Sequence, residues 1–381
     1  MSQPLQMRSW AEIDPDALLW NLAALRAHLA REIQVMAVVK ANAYGHGMTA
    51  VARVLSGHVE MFGVANVTEA CALHATGLVD PSRIYLLGPA LPEERNEVVR
   101  HRFVPAVSSA AEAAAYSTLV LDQKNASEDG MALPIHLTID TGMGRIGVWQ
   151  DEAVATARAI LGLPGVALTG FASHLPVSDE DDAFTRAELN TFRDLLVELR
   201  ALGFESAVTH IENSAGIIGF PAQAGDLVRA GLALYGCSPR PEFQSSLRPV
   251  MTWKTRVTLI REVAAGRGVS YGRTFITPVS MRLATLAVGY ADGYQRHLSN
   301  KQAEVLIRGR RCPVLGRITM DQIVVDISTL PDIEPGEEVV LMGRLGDNEI
   351  SATELAAKSG TIPWEIFTGI GQRVVRVLSP P

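Results

Sequence analysis

Short apolar runs punctuate the first two-thirds of the chain at regular intervals, and amphipathic stretches separate them. Residues 7–13 read as a short strand. Asp14-Pro15-Asp16 then opens a helix, with an acid at the N-cap, proline at the first helical position and a second acid near the positive helix end. Leu18, Leu22, Leu25 and Leu29 follow at helical spacing and give that helix one buried face. The apolar runs are 35–39, 61–65, 84–87, 103–107, 135–139, 166–172, 207–211 and 227–228, eight in all. Continuous runs of this kind are strands buried on both faces. Between them, Ser109 with Glu112 predicts a capping box. Phe192, Leu195, Leu196 and Leu199 form one stripe of a helix that ends before Gly203. Eight strands alternating with helices predict an α/β fold, a parallel (β/α)8 TIM-type barrel, with a doubly wound open sheet as the alternative.

Residues 238–250 are rich in proline, serine and arginine, and the domain boundary is expected there. From Thr252 the period changes to two. Trp253, Thr255, Val257 and Leu259 alternate with Thr252, Lys254, Arg256 and Thr258. Further β-like segments lie at 283–288, 304–307, 323–326 and 338–342, and a helix is expected at 351–359. The second domain therefore reads as mostly β. The division predicted is 12–240 for the barrel, with 1–11 and 241–381 in the mostly-β domain.

Composition narrows the function. Apolar residues are 48% and charged residues 20% of the 381, an ordinary globular balance. A formal net charge of −7 provides no basic field for nucleic acid. The short run Arg308-Gly309-Arg310-Arg311 reads as a solvated hairpin turn. Cys71, Cys237 and Cys312 are three and widely spaced, which gives neither a disulfide framework nor a zinc pattern, so no metal is expected. With no apolar signal segment at 1–6 and no apolar run long enough to span a membrane, a cytoplasmic protein is expected.

The chemistry centres on Val38-Val39-Lys40-Ala41-Asn42-Ala43-Tyr44-Gly45-His46-Gly47. Lys40 closes an apolar strand and enters a glycine-containing loop. Burial there lowers an amine's pKa, and a neutral amine can form a Schiff base with a carbonyl. The alternative is an ordinary solvated lysine. In a barrel, functional residues gather after the strands. Arg145, His174, His210, Asn213, Ser214, Arg229 and Gly231 all do so, and the small residues 214–216 and Gly231 suit an anion.

These residues carry a resemblance. The 38–47 stretch resembles the cofactor-lysine signature of alanine racemases. The likeness continues through residues 10–14, 140–147, 213–215, 229–236, 269–272, 288–294 and 316–322, in the family's order. It implies a pyridoxal 5'-phosphate (PLP) barrel plus a β domain, working as a homodimer in which each active site is completed by the partner. Lys40 would hold PLP and serve as one catalytic base, and Tyr271 of the other chain would be the second. Tyr44, Asn213, Ser214 and Gly231 would contact the phosphate. Arg229 would face the pyridine nitrogen, with His210 orienting it and His174 in support. Arg145 would position the cofactor's phenolic oxygen and the substrate carboxylate, and the Met320 backbone N–H would hold the same carboxylate. Asp321 would brace the pocket, and Tyr290 would belong to the access path from the partner chain.

Four positions depart from the common pattern. Thr138 stands where many members have a carbamylated lysine, and Thr319 replaces a common cysteine. Gln372 stands where some members have a tyrosine, and Leu175-Pro176 follows His174 where Phe-Ala is usual. The function expected is PLP-dependent racemisation of L- and D-alanine by two bases. The alternatives are a serine or broad-specificity racemase, a related barrel decarboxylase or lyase, and a PLP-binding protein without turnover.

Overall fold

The computed structural model describes residues 7–124, 131–221 and 225–379. The strand β1 (Ser9–Ile13) precedes eight parallel strands: β2 (Gln34–Val38), β3 (Met61–Val64), β4 (Ile84–Leu86), β5 (Val104–Val107), β6 (Leu133–Asp140), β7 (Val166–Ala172), β8 (Val208–His210) and β9 (Leu227–Ala230). Their order is β9-β2-β3-β4-β5-β6-β7-β8. The seam between β8 and β9 is spanned by the Arg229 amide, which donates to the Glu212 carbonyl at 3.0 Å. The sheet is thus a nearly closed barrel rather than an open doubly wound sheet.

Helices cover its outside. The first, Pro15–Arg26, is capped as the sequence dictates, with the Asp14 carboxylate accepting from the Ala17 amide at 2.9 Å. At the helix Ala110–Lys124 the capping is offset from the expected box. The Ser109 hydroxyl accepts from the Glu112 amide, but the Glu112 carboxylate reaches the Ser108 amide instead. Both N–H groups are satisfied either way.

Strand alternation decides what the barrel contains. On β6, Ile135, Leu137 and Ile139 join the main hydrophobic core, which leaves His136, Thr138 and Asp140 on the other face. On β2, Met36, Val38 and then Lys40 share the inner parity, and on β9 Leu227, Arg229 and Gly231 do. The lower interior is apolar, with Met36, Tyr85, Val104, Ala106 and Leu227 packed together. The upper interior is polar. Gly170 has no side chain where the His136 ring passes, since a Cβ there would lie 2.6 Å from it.

The second sheet contains β10 (Met251–Val263), β11 (Met281–Leu286), β12 (Glu304–Ile307), β13 (Arg310–Leu315), β14 (Ile323–Asp326), β15 (Glu338–Leu345), β16 (Asn348–Ile350) and β17 (Val375–Leu378). Its order is β16-β15-β12-β13-β14-β11-β10-β1-β17, and β15 also pairs with β10, so six strands close into a ring. β1 is antiparallel to β10 and parallel to β17.

Several expectations are corrected here. The alternation of β10 fails after Val257, where a register shift turns Leu259 outward, 47% exposed. The basic run does turn a hairpin at Arg308-Gly309, both at positive φ. Its last arginine is not simply solvated, however. Arg311 is half-buried and bridges Glu304 and Glu354 at 2.8 and 2.9 Å. The strand β13 and the helix Pro363–Thr368 have too little periodicity to be read from the sequence.

Candidate active site

A cavity of about 510 Å³ opens at the C-terminal ends of the barrel strands. Lys40, Tyr44, Arg145, His174, Asn213, Ser214, Arg229 and Gly231 all line it, as do Thr138 and Leu175-Pro176.

The turn after Lys40 is unusual. Ala41, Asn42, Ala43 and Tyr44 all have φ between 51 and 54°, four consecutive non-glycine residues in the left-handed region. Each such residue costs about 1–2 kcal/mol. The surroundings hold the turn in place. Glu69 accepts from the Ala41 amide at 2.7 Å, and Asn42 Oδ1 accepts from the Met48 amide at 2.8 Å. The His46 ring bonds the Ala43 and Tyr44 carbonyls. Arg376 on β17 donates to the Gly45 carbonyl at 2.8 Å. Gly45 itself tolerates no side chain, since a Cβ would lie 2.2 Å from the Phe367 carbonyl oxygen. The left-handed turn redirects the chain so that Lys40 and Tyr44 both reach the cavity. Burial lowers the Lys40 pKa, and the nearby charges of Arg145 and Arg229 lower it further.

Arg229 is buried within the barrel. Its NH1 donates to His210 Nδ1 at 2.7 Å and to the His210 carbonyl at 2.9 Å. Its NH2 faces the Ser173 and Ile211 carbonyls and His174 Nδ1, at 2.6, 2.9 and 3.1 Å. Because arginine only donates, both histidine nitrogens must accept. His210 Nε2 then carries the hydrogen and donates to His136 Nδ1 at 2.9 Å. Burial, then Arg229, depress His174 to about 3, and burial takes His136 to about 4, so both rings are neutral. The Arg229 Nε–H has no hydrogen-bond partner among the described residues, although Arg229 lines the cavity. Arg145 likewise makes no ion pair among them. Its backbone is set by Asp140, which accepts from the Gly142 and Arg145 amides at 3.0 and 3.1 Å.

Opposite the arginines is a small-residue cradle. Ser214 Oγ accepts from the Gly231 and Ala233 amides at 3.0 and 3.3 Å, which frees its own O–H for a ligand. Asn213 caps the following turn through the Gly216 amide. A Cβ on Gly231 would lie 2.8 Å from the Tyr44 hydroxyl, so glycine is what lets that hydroxyl in. Burial pushes Tyr44 up to about 12, keeping it a neutral donor.

Other expected site residues lie elsewhere in the chain. His210 is beneath the cavity, behind Arg229. Tyr271, Met320 and Tyr290 do not line the cavity; they are 72, 52 and 41% exposed. They form one surface group. Ser270 Oγ donates to the Arg317 carbonyl, and the Tyr290 and Ala291 amides donate to the Thr319 and Met320 carbonyls, each at 3.0 Å. Asp321 does not touch the cavity in its own chain. It pairs with Arg373 at 2.8 Å, and Arg373 also reaches Asp292. Residues not anticipated are Tyr85 and Trp364 on the cavity wall and His136 below it. The inward parity of β4 and β6 was the available signal for Tyr85 and His136.

A desolvated amine, two guanidiniums with no salt bridge among the described residues and an anion cradle meet at the mouth of a parallel barrel. This is the site of the lysine-dependent barrel enzymes, which fix an anionic carbonyl compound on an amine. The particular family follows from comparison. The family model of the alanine racemase N-terminal domain matches residues 13–239, and that of the alanine racemase C-terminal domain matches 250–378. The chain belongs to the alanine racemase family. It is 39% identical to the alanine racemase of Halothermothrix orenii, over 99% of this chain and 98% of that one. The structure of alanine racemase from D-cycloserine producing Streptomyces lavendulae has a TM-score of 0.89 and 36% identity, covering 99% of this chain and 98% of that one. That from Bartonella henselae, with covalently bound pyridoxal phosphate, has a TM-score of 0.85 and 29% identity, covering 98% of this chain and 100% of that one.

Proposed function

We propose that this chain interconverts L- and D-alanine with pyridoxal 5'-phosphate, as a cytoplasmic homodimer whose two active sites are each shared between chains. The observation that carries the reading is the meeting, in one cavity, of the Lys40 amine with Arg145 and Arg229. The residues fit the cofactor. Lys40 would carry it covalently, and Tyr44, Asn213, Ser214 and Gly231 would take its phosphate. Arg229, with its free Nε–H, would meet the ring nitrogen, and His174 would stand beside it. When bound, the cofactor supplies an electron-withdrawing ring that acidifies the Cα–H of the amino acid joined to it.

The chain's own groups then handle the proton. Lys40 Nζ, with its lowered pKa, takes or returns a proton on one face of Cα. Inversion needs a base on the opposite face. Burial holds Tyr44 and Tyr85 as neutral hydroxyls at about 12, and His174 Nδ1 is engaged by Arg229. The family resemblance assigns the second base to Tyr271, from the exposed group of a second copy. In that arrangement Met320 offers its N–H and Arg145 its guanidinium to the substrate carboxylate. Asp321, tied to Arg373, steadies the Met320 loop, and Tyr290 borders the way in. Three free cysteines accord with a reducing compartment.

Complementation in trans tests the shared site. Lys40→Ala and Tyr271→Phe homodimers should each lose racemisation, and refolding them together should restore it through mixed dimers with one native site. No recovery, with mixed dimers demonstrated, would refute the sharing. Serine is the second reading, because Thr138 places a hydroxyl, one that Tyr85 also reaches, on the cavity wall where a substrate hydroxyl could bond it. Chiral chromatography after incubation with L-alanine or L-serine separates the two readings by the dominant D-product.

A further inference from the structure

A second cluster, on the outside of the barrel, combines the three side-chain types that ligate transition metals. Cys71 lies on the helix Val67–His74, and Glu97 and His101 lie on the helix Arg95–His101. One ligand-capable atom from each residue (a thiol sulfur, a carboxylate oxygen and an imidazole nitrogen) falls within 4.8 Å of the others. All three residues are half-buried. Glu97 and His101 are four apart and so share one helix face. His101 Nε2 is 3.4 Å from Glu97 Oε2, while Glu97 Oε1 is taken by Arg100 at 2.6 Å. One carboxylate oxygen thus faces the cluster and the other is held from behind, which is how an outer partner orients a metal ligand. His74, one turn after Cys71, stands against the group, its ring centroid 4.9 Å from that of His101. Its Nδ1 is buried without a hydrogen-bond partner among the described residues, an unmet demand at this place.

We propose that Cys71, Glu97 and His101 form a divalent transition-metal site suited to Zn2+, with a water in the fourth position that His74 Nδ1 can accept from. Thiolate, imidazole and carboxylate are all ordinary zinc ligands. Binding forms S–Zn, N–Zn and O–Zn bonds and releases the Cys71 thiol proton to solvent, with no change of oxidation state. The metal would join two neighbouring helices. One of them carries Glu69, which accepts from the Ala41 and Ala65 amides beside Lys40. The site is separate from the catalytic reading and does not depend on it.

The test uses reduced, chelator-treated full-length protein titrated with Zn2+ against a chromophoric chelator. The expected result is one tight equivalent per chain. Co2+ in its place should show tetrahedral ligand-field bands and a thiolate charge-transfer band. Cys71→Ser should abolish that band, and Cys71→Ser and His101→Gln should each weaken Zn2+ by more than about a hundredfold, beyond the loss typical of outer-shell changes. Circular dichroism of Cys71→Ser, a near-isosteric change, checks that the fold is kept. Absence of stoichiometric uptake overturns the proposal. So does uptake unchanged in Cys71→Ser, which would place the metal elsewhere in the chain.

Discussion

Gly231→Ala separates a cofactor cradle from a merely compact corner. The added Cβ would lie 2.8 Å from the Tyr44 hydroxyl and 3.4 Å from Tyr44 Cζ, with Ser214 Oγ comfortable at 3.8 Å. To reach ordinary contact the hydroxyl must retreat by about 0.6 Å, enough to spoil a hydrogen bond of normal length. A hydrogen bond to a charged group is worth about 1.5–3 kcal/mol, so PLP affinity should fall about 10- to 150-fold. The assay is titration of apoprotein with PLP, followed by absorbance. Tyr44→Phe should lose a similar amount. The double variant should lose little more than either single one, because both changes remove the same contact. Unchanged affinity in Gly231→Ala would refute the reasoning. So would losses that add in full, since Tyr44 would then not mediate the effect.

Arg376→Met should destabilise the protein by about 3 kcal/mol in urea unfolding and weaken PLP, because four carbonyls (Gly45, Ile370, Gly371 and Val374) lose their donor; an unchanged midpoint would show that water replaces it. Burial raises Glu212 to about 7, so its contribution is fully present below the unfolded value near 4.5 and is lost as pH rises through 7. Relative to Glu212→Gln, the native protein should therefore lose stability by about 3 kcal/mol between pH 4.5 and 8, and parallel pH profiles would exclude a buried neutral acid. Arg145→Ala should raise KM for alanine about 10- to 150-fold, as loss of one charge-assisted carboxylate contact requires. A fall in kcat alone would move Arg145 out of substrate binding.

The barrel was legible because burial on both strand faces leaves unbroken apolar runs, and because inner parity can be counted along them. From Lys40 the count of two returns to Val38 and Met36, and from Arg229 it reaches Leu227 and Gly231. The same counting would have brought in Tyr85 and His136, whose types gave no separate sign. The β domain resisted for physical reasons. A bulge at Val257 resets the alternation of β10, and β13 mixes arginine, cysteine and proline. Tyr271, Tyr290 and Met320 had chemistry assigned only by family resemblance. In one chain they form an exposed group outside the Lys40 cavity, so neither local pattern nor single-chain geometry gives them a role. Arg311 was misread because a basic run looks solvated until two acids, one from β12 and one from a helix at 352–359, close on it.

The left-handed turn at 41–44 leans on Phe367 and on Arg376, the latter 331 positions beyond Gly45. The Gly45 carbonyl is held by Arg376 and its Cα is pressed against Phe367, while β1 is bordered on one side by β17. A ribosome therefore makes Lys40 well before it makes these supports. Until residue 376 has left the exit tunnel, the loop pays its backbone strain without those restraints. A chain that stops short of Arg376 should hold the cofactor more weakly than one that includes it.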